Sequence, residues 1–236
     1  MTTEVKINYK EYPECMFAMI ASFLSPNEGI DLRRVAGDVV FRSESQNGNT
    51  YRNGLLHSFD DIPAVVSGGR QEWYKDGLLH REGDLPAVIH GNMRQWYRNG
   101  LYHREGDRPA HSDDEIEIWY CWGRIHRDCD RPAVVVGETR SEWWVYGKRH
   151  REDDLPAVVE GNHRQWYLDG QRHRDCDLPA IVIGNSYYSW YRNGLRHRDG
   201  DRPAIITLTT CEWWVEGSLI RTGDIDMSRD SSTSPQ

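Results

Sequence analysis

Aromatic, polar and glycine positions recur along this chain with a period far longer than that of a helix or a strand. Tryptophan stands at Trp73, Trp96, Trp119, Trp143, Trp166, Trp190 and Trp213, at steps of 23, 23, 24, 23, 24 and 23 residues. Thr50 holds the same slot one step earlier. A glycine follows four residues after each slot, from Gly54 to Gly217. Three residues later comes a histidine in seven units: His57, His80, His103, His126, His150, His173 and His197. Arginine follows it in six of them (Arg81, Arg104, Arg127, Arg151, Arg174, Arg198). An aspartate recurs in every unit, at Asp61, Asp84, Asp107, Asp130, Asp154, Asp177, Asp201 and Asp224, and Pro-Ala closes the first seven. The unit reads W-[YW]-x-x-G-x-x-H-R-x-x-D-x-P-A-[VI]-[VI]. Eight copies at near-constant spacing are an internal repeat, which decides the architecture before any local propensity does.

One unit predicts two principal strands. Pro-Ala-Val-Ile-His is a short β-branched run, and the turn dipeptide Gly91-Asn92 follows it. Met93 to Tyr97 reads as a second strand that ends at Asn99-Gly100, a pair suited to tight hairpin turns. The stretch from glycine through His-Arg to Asp-x-Pro reads as a connection fixed by its own polar side chains. With strands ~4.8 Å apart, equivalent residues of adjacent units would lie ~10 Å apart. The expected fold is therefore mainly β: an elongated antiparallel β-hairpin repeat array of eight ~23-residue units.

Residues 1–45 do not fit the repeat. Cys15, Met16, Met19, Ile20, Phe23 and Leu24 follow the apolar stripe of a helix. Ser25, Pro26 and Glu28 read as the start of a second helix, carrying Leu32, Val35 and Val39. The segment is expected to be a small helical cap on the first edge of the array, because exposed strand edges pair promiscuously. The array itself is placed at 46–226, and 227–236 is expected to be a disordered polar tail.

Composition then narrows the reading. Only 38% of the 236 residues are hydrophobic, yet the chain holds 10 Trp and 12 Tyr. Disordered chains are poor in aromatics, so a thin folded protein held by aromatic burial is expected. The net charge of −8 argues against nucleic acid as a partner, since a phosphate backbone needs a basic face. The apolar run Cys15–Leu24 is too short to insert across a membrane. The start lacks a basic n-region and the five cysteines are scattered, which suits a reduced, intracellular setting rather than secretion.

The W-x-x-x-G-x-x-H pattern at about 23 residues resembles the membrane occupation and recognition nexus (MORN) repeat. More closely it is similar to the W-Y-x-N-G-x-x-H-R-x-x-G-P-A variant common in large DNA viruses and some bacteria. The resemblance covers about Thr50 to Asp226, with His-Arg where the standard unit has G-x-G after the turn. It implies a non-enzymatic hairpin array for protein–protein contacts or scaffolding, in a virion or in host cytoplasm, with no cofactor. The N-terminal pattern Pro13-Glu14, Ile20, Phe23-Leu24, Leu32, Val35 is similar to the start of an F-box. That similarity implies that Met16, Ile20, Phe23, Leu24, Leu32 and Val35 contact a ubiquitin-ligase adaptor; a capsid contact is the other partner the resemblances imply.

Three chemical readings of the repeated residues compete. A shared metal needs ligand nitrogens within a few ångströms, which a ~10 Å step does not allow for neighbouring histidines. The histidines are therefore expected to pack beside the Trp plane, with each Arg forked onto an Asp of its own or the next unit. Trp and Tyr rows suggest aromatic cages for choline or a sugar as a further reading. Cys129 and Cys176 share a slot two units apart, too far for a disulfide. No phosphate loop, GxSxG elbow or HExxH helix is present. Specificity is expected at the variable slot Leu79, Tyr102, Ile125, Arg149, Arg172 and Arg196, whose rising basicity suggests an acidic contact.

Overall fold

A computed structural model describes residues 48–225, preceded by the strand backbones Gly29–Val35 and Asp38–Glu44. The described residues contain strands and turns but no helix, so none that could cross a membrane. The chain is an antiparallel β-hairpin repeat array. It divides into two compact units, Met1–Glu105 with Ala110–Asp114, and Gly106–Pro109 with Glu115–Gln236.

In the first unit, Gly29–Val35, Asp38–Glu44, Thr50–Arg52 and Leu55–Leu56 form a four-stranded meander. A second sheet runs through Val65–Ser67, Arg70–Glu72, Val88–His90, Met93–Gln95 and His111–Ser112. In the second unit, sheet order again follows sequence order, from Ile116–Ile118 to the edge strand Ser218–Asp224. Each repeat thus adds one hairpin, as the unit predicts.

The local chemistry explains the hairpin. Val88–His90 pairs with Met93–Gln95 across Gly91-Asn92, where Gly91 has φ 57°. Beyond Gln95 the predicted strand is broken at Trp96. Tyr97–Arg98 leaves the long sheet and pairs with Leu101–Tyr102 in a separate two-stranded ladder around Asn99-Gly100. The reason lies in the Trp96 backbone, which serves both sheets. Its N–H donates to the O of Ala110, which closes the same motif (2.7 Å), and its carbonyl accepts from His103 N–H (3.1 Å). The same pair of bonds recurs at Trp73, Trp119, Trp143, Trp166 and Trp190. Thr50 repeats it with Ala64 and His57, which confirms its place in the Trp slot. The alanines that close the motif, from Ala64 to Ala204, have 0% exposure. Their methyl groups set how closely the connection can lie against the sheet.

The N-terminal expectation needs correction. The second helix is absent: Leu32 and Val35 lie on a strand that pairs in register with Asp38–Glu44, Leu32 opposite Phe41. Val39-Val40-Phe41 is β-branched and aromatic, and extended backbone suits such a run better than a helix. The first expected helix, with Met16, Ile20, Phe23 and Leu24, and the tail 227–236 lie outside the described residues.

Candidate functional site: the interlock between repeats

The repeated Trp, Arg and Asp converge on one construction. In the fifth-to-sixth step, the Trp166 indole N–H donates to Asp154 O of the preceding repeat at 2.9 Å. The Arg174 guanidinium lies 3.8 Å above the Trp166 ring. Its Nε and Nη2 fork onto the two Asp154 carboxylate oxygens at 2.7 and 2.8 Å, and Nη1 donates to Pro179 O at 3.3 Å. One guanidinium therefore stacks on its own Trp, holds its own Pro and clamps the repeat before it.

The construction is the same elsewhere. Indole N–H bonds to the preceding Asp carbonyl run from 2.9 to 3.2 Å, at Trp73, Trp96, Trp119, Trp143, Trp190 and Trp213. Forks join Arg81 to Asp61, Arg104 to Asp84, Arg127 to Asp107, Arg151 to Asp130 and Arg198 to Asp177. Arg221 keeps a single contact with Asp201 at 2.9 Å. The fork thus reaches the preceding repeat, rather than its own or the next. Arg131 and Arg202 add further contacts to Asp107 and Asp177. Bidentate guanidinium–carboxylate geometry is directional, and stacking on an indole face adds cation–π attraction.

Aspartate suits this slot for a second reason. Asp61, Asp84, Asp107, Asp130, Asp154, Asp177 and Asp201 all have φ between 49° and 58°. Asp tolerates the left-handed region better than most residues, so a single residue supplies the turn, the carbonyl for indole and the carboxylate for Arg. The preceding position is left-handed too and takes Gly83, Gly106 and Gly200, Asp60 and Asp153, or the exposed Cys129 and Cys176. The Arg hydrogen bonds hold Asp61, Asp107, Asp130, Asp154 and Asp177 below the usual carboxylate range.

Arginine, not histidine, covers the Trp plane. Histidine reaches in the opposite direction, to the turn of the following repeat. Nδ1 of His57, His80, His150, His173 and His197 accepts the amide N–H of Asp76, Asn99, Asp169, Asn193 and Glu216, at 3.1–3.2 Å. The ring proton then sits on Nε2, which in His80, His150, His173 and His197 faces a carboxylate two residues on, as His150 does Glu152 at 2.8 Å. Burial lowers the pKa of His57 and of His103. Turn glycines complete the stack: Gly147 N–H donates to Ile125 O and Gly170 N–H to Arg149 O, at 2.8 and 2.9 Å. Gly170 has φ 86°, where any side chain is strained, and a Cβ there would only touch Lys148 at ordinary contact distance.

The variable slot lies among the second aromatic row. Arg149 binds Glu142, a buried carboxylate that also takes Trp144 N–H and Arg140. Arg172 lies 5.7 and 5.6 Å from the Tyr167 and Tyr191 rings; Arg196 lies 5.9 and 5.0 Å from Tyr191 and Trp214. In the earlier repeats the slot holds Leu79 and Tyr102, and the Tyr102 ring meets Tyr97 in a tilted contact with centroids 4.1 Å apart. Much of the basic trend is thus used inside the ladder, as interleaved Arg and aromatic rungs. Tyr74, half-buried and bonded to Glu72, has its pKa pushed up to about 12.

Among the described residues, no group of three or more His, Cys, Asp or Glu is arranged to hold a metal ion. Compared with family models, curated proteins and solved structures, the chain matches none.

Proposed function

We propose that this chain is a non-enzymatic repeat scaffold that presents its turns and exposed strands to a protein partner. One observation carries the reading. The residues that invite a catalytic interpretation serve the joints between repeats: the Arg and Asp rows clamp each repeat to the one before, and five of the histidines accept an amide N–H of the next turn. Chemistry at an active site concentrates perturbed groups in one cleft, whereas here the lowered carboxylates Asp61, Asp107, Asp130, Asp154 and Asp177 belong to five different repeats. The sequence resemblance to MORN-variant repeats supports the same reading, and with it a place in a virion or in host cytoplasm.

Affinity capture from the native host or particle, identified by mass spectrometry, tests it. One stoichiometric protein partner retained by the full chain is expected. A turnover that is lost in His173→Ala or Asp154→Asn variants that still fold would overturn it.

A further inference from the structure

Two adjacent hairpin turns inside the array carry a bulky aromatic residue where the other internal turns carry Asn or Asp. The residue before the turn glycine is left-handed in every repeat; it is Asn53, Asp76, Asn99, Asp169 or Asn193 in five of them, with φ 48–51°, and Glu216 in the last. Such type I′ positions favour Asn, Asp and Gly. The fourth and fifth repeats place Trp122 (φ 47°) and Tyr146 (φ 45°) there instead. A bulky side chain at positive φ is a conformational outlier, and such strain gathers at functional sites. Nor does burial compensate for it, because Trp122 is 48% and Tyr146 54% exposed. Tyr146 lays one face on His126 at 4.0 Å. His126 itself is buried, and neither ring nitrogen makes a hydrogen bond, though Nε2 lies 3.1 Å from Asp128.

A second departure coincides with the first. Two residues after the Trp slot, Lys75, Arg98 and Arg192 pair with Glu82, Glu105 and Asp199 at 3.0, 2.5 and 2.9 Å. In the three intervening repeats the basic residue is replaced by Cys121, Val145 and Leu168. Val145 and Leu168 are exposed. The facing acids Asp128, Glu152 and Asp175 remain, largely solvent-exposed, each beside a histidine rather than an ammonium or guanidinium. Two open grooves, of about 360 and 250 Å³, run between these repeats. The larger is lined by Val145, Tyr146, Asp128 and Glu152, the smaller by Leu168, Glu152 and Asp175; the arginines that also line them, Arg127, Arg131, Arg151 and Arg174, are each paired with Asp107, Asp130 or Asp154.

We infer that the turn side of the fourth to sixth repeats is the docking surface for an extended basic segment of the partner protein. This deepens the scaffold reading and rests on it. Each cation of the segment would take the place of the missing Lys or Arg, pairing with Asp128, Glu152 or Asp175, with exposed aromatic faces beside it for cation–π contact. Apolar side chains between the cations would cover Val145 and Leu168. The spacing selects the register. Repeats step by ~10 Å, and a polyproline-II segment returns to the same face every third residue, ~9.3 Å on. The fitting ligand therefore carries Arg or Lys at every third residue.

The test uses the full chain and a labelled twelve-residue peptide of four Arg-Pro-Leu triplets, with a Glu-Pro-Leu control, read by fluorescence anisotropy. Saturable binding of the Arg peptide, weakened by salt and at least tenfold tighter than the control, is expected. Trp122→Asn with Tyr146→Asn restores the usual turn residues and should weaken binding at least tenfold without lowering the unfolding temperature. Val145→Lys with Leu168→Arg, which refills the basic slot on the surface, should do the same. Equal binding of the two peptides, or undiminished binding by both double variants, overturns the site. If the partner is still captured by the full chain in that event, the scaffold reading stands and the surface lies elsewhere.

Discussion

The indole side and the turn side of each repeat follow different rules. On the indole side, Trp, Arg and Asp make the same three contacts from Trp73–Arg81–Asp61 to Trp190–Arg198–Asp177. On the turn side, the fold asks only for a left-handed pair ending in glycine, and side chains there change from Asn and Asp to Trp122 and Tyr146. The lesson is that repetition of a chemically potent residue marks architecture, while departure from the repeat marks where something else is recognised.

The most damaging way to break the indole side is Trp166→Ala. It removes a buried ring, leaves Asp154 O without its donor and takes away the surface on which Arg174 rests. A loss of about 3–5 kcal/mol in urea unfolding is expected from burial alone. Val145→Ala, an exposed change on the turn side, should stay within about 0.5 kcal/mol of the parent in the same assay.

Acid should act through the interlock next. The Asp row is held below its unfolded value of 3.8 by Arg, so the unfolded chain binds protons first as pH falls. Stability from that row is complete above 3.8 and lost as pH drops through the folded values. His57 and His103, lowered from 6.5 by burial, act with the same sign at higher pH: neutral in the fold, they favour it until acid charges them. The unfolding temperature should therefore begin to fall below 6.5 and drop steeply below 3.8. Asp154→Asn should make the steep limb shallower. A profile flat down to pH 3 would contradict the assignment.

Gly170→Ala tests the turn side's one strict demand. Its φ of 86° predicts a loss of about 1–2 kcal/mol by thermal denaturation. The smallest effect has the opposite sign. Tyr146→Asn relieves a left-handed tyrosine and should stabilise the fold by about 0.5–1 kcal/mol, seen as a small rise in unfolding temperature.

Much of this architecture was legible in the residues. The Trp period, the Asn99-Gly100 turn and the Val88–His90 run specify hairpins whose count and order the sheet reproduces. What escaped was direction. Arg174 has an Asp154 behind it and an Asp177 ahead, and only the three-dimensional advance of the chain chooses between them. The role of histidine was hidden for the same reason, since its partner is a backbone amide of the next turn. The break at Trp96 has no composition signal, because the residue bonds forward through its main chain. At the N-terminus, Leu32, Val35 and Val39 fit helical spacing, but pairing of Asp38–Glu44 with both Gly29–Val35 and Thr50–Arg52 outweighs that pattern. The turn-side departures at Trp122 and Tyr146 were visible as residue types, yet their left-handed backbone gives them meaning only in the structure.

The most direct test of the interlock is a double-mutant cycle between Arg174 and Asp154, measured by urea unfolding of Arg174→Ala, Asp154→Ala and the pair. The 2.7 and 2.8 Å fork predicts a coupling of about 1–2 kcal/mol. Additive losses, with coupling below about 0.3 kcal/mol, would mean that the repeats are not clamped together through this pair.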